Sequence, residues 1–226
     1  SPRRSPTFSK PIQNLYTVES RVDLAQKLFQ FNVLNFPAIS RQAEVNPLLA
    51  KIEEASIRFY IDQLSSYPTR FYQSAYSYLA VERLSRIWKY LIRNRNDAQV
   101  ELVGHKWKQP SLSLTIKGKT DKRLVIGGHI DSINGSQGNQ NTGNFEHAPG
   151  ADDDASGVST MTEIIRVLME ANYVPENTLV FYAYAAEEIG LLGSDYIAGI
   201  NKANNVDVIA VLQLDMTNFK GSEKAI

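Results

Sequence analysis

Between residues 124 and 215 one arrangement keeps returning: a run of aliphatic or β-branched residues, then a tight group of His, Asp or Glu. Leu124-Val-Ile-Gly-Gly leads to His129-Ile-Asp131-Ser, residues 178–185 lead to Glu187-Glu188-Ile-Gly, and residues 206–214 lead to Asp215-Met-Thr. Between the first two lies Ala-Pro-Gly-Ala-Asp152-Asp153-Asp154-Ala-Ser-Gly. A polar group that ends an apolar run sits where a strand leaves a sheet, and open α/β sheets build their sites at that edge. One imidazole with several carboxylates, in a chain with no cysteine, suits a hydrolytic divalent-metal site with zinc as the ion.

At 226 residues the chain can hold one α/β domain with a sizeable core, and a hydrophobic share of 43% argues against disorder. Lys+Arg and Asp+Glu both count 24, so no global field points to nucleic acid or to an anionic membrane. No apolar run approaches the roughly 20 residues that span a bilayer. The absence of Cys removes disulfides and thiolate zinc sites without settling the compartment. The start, Ser-Pro-Arg-Arg, has neither Met nor a signal-like stretch and reads as processed or trimmed.

Residues 1–14, with three prolines and clustered basic residues, read as an irregular arm, and residues 18–31 as a short amphipathic helix. Pro37 and Pro47 then break the pattern, and residues 48–64 carry apolar side chains at helical spacing. Residues 75–93 give the clearest helix, with Ala80, Leu84, Ile87, Trp88 and Leu91 on one stripe. Residues 99–106 and 111–117 alternate and predict a hairpin-like antiparallel pair, and residues 134–147 a polar loop. From residue 123 strands alternate with helices at 156–169 and 190–200, and residues 206–214 read as another buried strand. That order implies βαβ crossovers and an α/β fold with a largely parallel central sheet flanked by helices.

The four clusters, in this order and spacing, resemble the co-catalytic two-zinc aminopeptidases of the secreted bacterial leucyl-aminopeptidase type, peptidase family M28. Pro37-Ala-Ile-Ser-Arg-Gln is similar to the start of the mature enzymes, and Thr69-Arg-Phe-Tyr to an early family motif. The resemblance implies the zinc-exopeptidase fold, with residues 1–36 an N-terminal extension or propeptide remnant and residues 37–226 the catalytic domain. It also implies secretion and peptide substrates with a free N-terminus.

Carried over residue by residue, His129 and Asp215 would be terminal ligands of one zinc, Glu188 a ligand of the second, and Asp153 the bridge between them. Glu187 would be general base and then general acid, Asp131 would hold the far nitrogen of His129, and Met216 would face an apolar N-terminal side chain. Asp154 occupies the family position that follows a cis peptide. The family completes its second zinc with a downstream histidine and supports the oxyanion with a tyrosine. The only histidines here are His105, His129 and His147, all before Glu188. The domain therefore reads as incomplete at its C-terminus, with a complementary fragment as the expected partner.

Simpler roles remain for some of these residues. Asp152 and Asp154 also suit the positive end of the helix that follows, and His105 and His147 read as surface residues. Alternatives to the aminopeptidase are a related exopeptidase or glutaminyl-cyclase-like enzyme on the same scaffold, and a non-catalytic peptidase-like interaction domain. The intact Glu187-Glu188 and His129-Ile-Asp131 motifs favour the hydrolase.

Overall fold

A computed structural model describes residues 40–134 and 147–219. The expected helix over residues 18–31 and most of the polar loop lie outside the described residues. The chain divides into a unit of residues 1–43 and a unit of residues 44–226. Of the first, only residues 40–43 are described.

The helix expected over residues 48–64 is two helices, α1 (Gln42–Leu49) and α2 (Glu54–Ser65). Pro47 lies inside α1, so it does not end the helix as its missing N–H suggested. The break comes instead at residues 50–53. Glu53 is extended (φ −120°, ψ 114°), and its N–H donates to Oε1 of the buried Glu163 at 2.7 Å. A distant carboxylate thus takes the N–H that would otherwise continue the helix.

Helix α3 (Ala75–Leu91) starts at Ser74, whose hydroxyl accepts from the Ser77 N–H. Its Ala80, Leu84 and Trp88 are buried and Ile87 and Leu91 partly buried, as the stripe predicted. Trp88 keeps its indole N–H satisfied on Thr162 Oγ1 at 2.9 Å. That hydroxyl belongs to α4 (Ala155–Glu170), which covers the same face of the sheet.

The sheet has five strands: β1 (Ala98–Val103), β2 (Ser111–Ile116), β3 (Thr120–His129), β4 (Asn177–Tyr184) and β5 (Val208–Gln213), in the order β1-β2-β4-β3-β5. The predicted hairpin forms, with Val100 opposite Leu114, but it joins the sheet through an antiparallel pairing of β2 with β4. Strand β3 runs parallel to both β4 and β5, so the sheet is mixed, with its parallel part in the centre. The main core lies between α3, α4 and one face, with Leu112, Leu114, Val158, Ile165 and Phe181. Val180, Tyr182 and Tyr184 alternate to the other face and meet Ile197 of α5 (Leu192–Ala203).

Strand β5 departs from its expected burial. Its apolar residues are largely exposed, with Val211 at 63% and Leu212 at 54%. Among the described residues it pairs with β3 alone, and few of them cover its faces. Its composition is that of a strand buried on both sides, but cover depends on neighbours that composition does not supply. No described helix is long and apolar enough to cross a membrane.

Candidate metal centre

The parallel run of β3, β4 and β5 brings their C-terminal ends to one edge. Pairing continues past the strands: the Ile130 N–H donates to the Tyr184 carbonyl and the Leu214 N–H to the Gly127 carbonyl, both at 2.8 Å. His129 and Asp131, Glu187 and Glu188, and Asp215 therefore emerge side by side, and the loop into α4 adds Asp153.

His129 is 1% exposed, and its Nε2 is 2.9 Å from Asp153 Oδ1, 3.8 Å from Glu187 Oε2 and 3.9 Å from Asp215 Oδ1. One ligand atom from each of His129, Asp153 and Asp215 fits within 4.8 Å of the others, an N,O,O set with the chemistry of a zinc site. Asp153 and Asp215 keep about half of their side-chain surface open to solvent, with 47% and 45% exposed, so a ligand can reach them. Glu187 and Glu188 stand outside this group of three.

Two buried aspartates hold the edge together. Asp131 was expected to hold the His129 ring, and Nδ1 lies 3.2 Å from the Asp131 carbonyl oxygen and 3.5 Å from its carboxylate. That carboxylate also accepts from the backbone N–H groups of Glu187 (3.0 Å) and Glu188 (3.2 Å). Asp154 follows a cis peptide from Asp153. Its carboxylate caps α4 at the Gly157 N–H and accepts from the N–H groups of His129 and Met216. The capping role and a site role coincide in this residue. Gly128 permits that approach: a Cβ there would stand 2.9 Å from Asp154 Oδ2.

Of the other histidines, His105 shares a hydrogen bond with Ser111 and stacks on Trp107, while His147 is exposed. Met216 is 42% exposed in a left-handed conformation (φ 48°). Sequence reasoning gave no role to Arg70 or Gln109, both fully buried beside these arms. The only signal for Arg70 was its place in the Thr69-Arg-Phe-Tyr motif.

The sequence profile of peptidase family M28 matches residues 112–226, just over half of the chain. The chain belongs to peptidase family M28. A probable leucine aminopeptidase of Arthroderma benhamiae is 39% identical over 191 residues, which are 81% of this chain and 51% of that protein. LapB from Legionella pneumophila superposes with a TM-score of 0.74 at 30% identity, covering 94% of this chain and 57% of its own. The LapA aminopeptidase of the same organism gives 0.71 at 29% identity, with 79% and 46% covered. The M28 chain thus spans about half the length of the curated relatives it matches, and its mixed sheet flanked by helices is the fold of these neighbours.

The electrostatics of this M28 site are those of a cation site. Burial pushes the Glu188 carboxyl up to about 8, with Asp153 adding to it, and burial also raises Glu187. Burial lifts Asp154 to about 7. For His129 burial lowers the imidazole, but contacts with Asp131 and Asp153 outweigh it and lift the ring to about 11. Burial holds these acids above their ordinary range, with neighbouring carboxylates adding to the shift of Glu187 and Glu188, and a divalent cation at the edge would favour their ionised forms.

The sign for stability follows. Glu188, Asp154 and His129 all bind protons more tightly folded than unfolded. Each adds stability that is complete below its ordinary value and lost as pH rises through its folded value. With chelator present, the Tm is expected to fall on the order of 5 °C between about pH 5 and about pH 9. Zinc should restore it most at the alkaline end, and a Tm that rises over this range overturns the account.

Proposed function

We propose that the chain is part of a metal-dependent aminopeptidase that hydrolyses the bond after an apolar N-terminal residue of a peptide. The observation that carries this reading is the gathering of His129, Asp153 and Asp215, with ligand atoms within 4.8 Å of one another at the sheet edge. The names of its relatives support the substrate class, since the Arthroderma benhamiae protein is called a probable leucine aminopeptidase.

In this reading His129 and Asp215 would hold one zinc ion, Glu188 would be a ligand of a second, and Asp153 would serve both. The chemistry that zinc supplies when bound is Lewis acidity toward a carbonyl oxygen and a bound water acidified to a pKa of about 7. Glu187 takes a proton from the attacking water at its carboxylate and returns it to the leaving amine. Its position fits that task, 3.8 Å from the His129 ring and outside the group of ligand atoms. Asp131 holds the backbone of Glu187 and Glu188 and, through its carbonyl, the tautomer of His129. The carboxylates near the metals would read the free α-amine, and Met216 would border the space for the apolar side chain. On the family resemblance, the enzyme acts outside the cell.

The whole protein to which this chain belongs is expected to bind zinc, measured by metal analysis after dialysis, and to release the anilide from leucyl-p-nitroanilide but not from its N-acetylated form. Absence of zinc, or equal turnover of the blocked substrate, overturns the reading. Cyclisation of an N-terminal glutaminyl peptide without hydrolysis would move the chain to the cyclase alternative.

A further inference from the structure

Arg70 is fully buried, and no described carboxylate forms an ion pair with it. Its Nε donates to the Ile130 carbonyl at 2.8 Å, its Nη2 to Gly150 at 3.0 Å, and its Nη1 to Pro149 and, at 3.4 Å, to Leu64. Its own N–H donates to Ser132 Oγ, and that hydroxyl donates on to the Ala148 carbonyl at 2.6 Å. Its carbonyl accepts from Gln109 Nε2 at 3.1 Å, and Gln109 Oε1 in turn accepts from the Ala186 N–H at 3.4 Å.

Apart from the bond to Leu64 in α2, these bonds fall on three arms, and each arm carries candidate site residues. Ile130 lies between His129 and Asp131, Pro149 and Gly150 are separated from the Asp152–Asp154 run by Ala151 alone, and Ala186 precedes Glu187. A buried guanidinium satisfied by carbonyls alone is costly unless negative charge stands near it. Burial pushes Arg70 down to about 10, and the fields of Asp131, Asp154, Asp153 and Glu188 oppose that shift. The planar fork and the acidic cluster therefore support each other across the loop backbone.

We propose that Arg70 is a positioning residue that sets the spacing of His129, Asp153 and Glu187, and through it the metal affinity of the site. This rests on the aminopeptidase reading for its consequence in zinc binding, though not for the lashing of the three arms. Arg70→Lys keeps the charge but loses the fork, because a point ammonium cannot span carbonyls on two loops.

The test uses the full 226-residue chain with Arg70→Lys, Gln109→Ala and, as a control of comparable destabilisation, Leu84→Ala in the core. Amide hydrogen exchange is measured with chelator, and zinc affinity by chelator competition. In Arg70→Lys, exchange should quicken together at residues 129–131, 148–155 and 185–188 while β2 stays protected. Zinc affinity should fall roughly 10–100-fold, the scale for removing a group that orients ligands. Gln109→Ala should loosen residues 185–188 alone, which keeps the proposal testable even where Arg70→Lys fails to fold. Leu84→Ala should leave zinc affinity within about twofold, since distant sites act independently. Unchanged exchange on the three arms in Arg70→Lys, or on residues 185–188 in Gln109→Ala, overturns the positioning role. Wild-type protein that binds no zinc overturns the functional reading instead and leaves the exchange result to decide Arg70.

Discussion

Replacing Glu187 by glutamine should leave zinc content at the wild-type level and lower turnover by about 10²–10⁴-fold, the range for a lost general acid–base group. Glutamine matches glutamate in shape, and the Glu187 backbone stays held by Asp131, so the arm should not move. The carboxylate oxygen lies 3.8 Å from His129 Nε2, too far for a hydrogen bond, and outside the group of ligand atoms. It is therefore free to carry a proton. Burial raises its affinity for that proton, which brings a carboxylate closer to the working range of a shuttle. The loss should appear in kcat with KM nearly unchanged, because substrate binding does not need the proton. Turnover within tenfold of wild type would assign the proton transfer to another group.

Asp153→Ala should have the opposite pattern and lose the metal itself. Asp153 Oδ1 is 2.9 Å from His129 Nε2, the shortest contact of the cluster. A hydrogen bond from His129 holds its carboxyl below the ordinary range, so it is ionised and ready to accept a cation at neutral pH. Without it only an imidazole and the Asp215 carboxylate remain of the three. Zinc affinity is expected to fall by more than about 100-fold, beyond what the loss of an orienting neighbour costs. The neighbouring Asp152 separates this from general loop damage, since its Oδ1 bonds Ser156 and the Asn218 N–H. Asp152→Ala should weaken the loop yet keep zinc. Equal retention of zinc in the Asp153 and Asp152 variants would remove Asp153 from the ligand set.

Much of this architecture follows from local pattern. The stripe of Ala80, Leu84 and Trp88 is buried in α3, and alternation around Val100 and Leu114 yields paired strands. The apolar runs before His129, Glu187 and Asp215 become strands whose ends lie together. Spacing of this kind determines element type because each element must bury one face or one stripe. It also determines which side chains leave the sheet at its edge, so the edge residues were legible as a group, while their separate roles came only from the family resemblance.

What only the tertiary structure decided was which element meets which. Residues 48–64 have the period of one helix, but Glu163, more than a hundred residues away, takes the Glu53 N–H and divides it. The hairpin lies beside β4 rather than β3. Arg70, Gln109 and the Asp131 carboxylate form bonds with backbone groups far away in sequence. Any residue has a carbonyl or an N–H to offer, so such bonds leave no mark on the side chains they join. Periodicity is a property of neighbours along the chain, whereas the lashing of an active edge depends on groups that become neighbours only after folding.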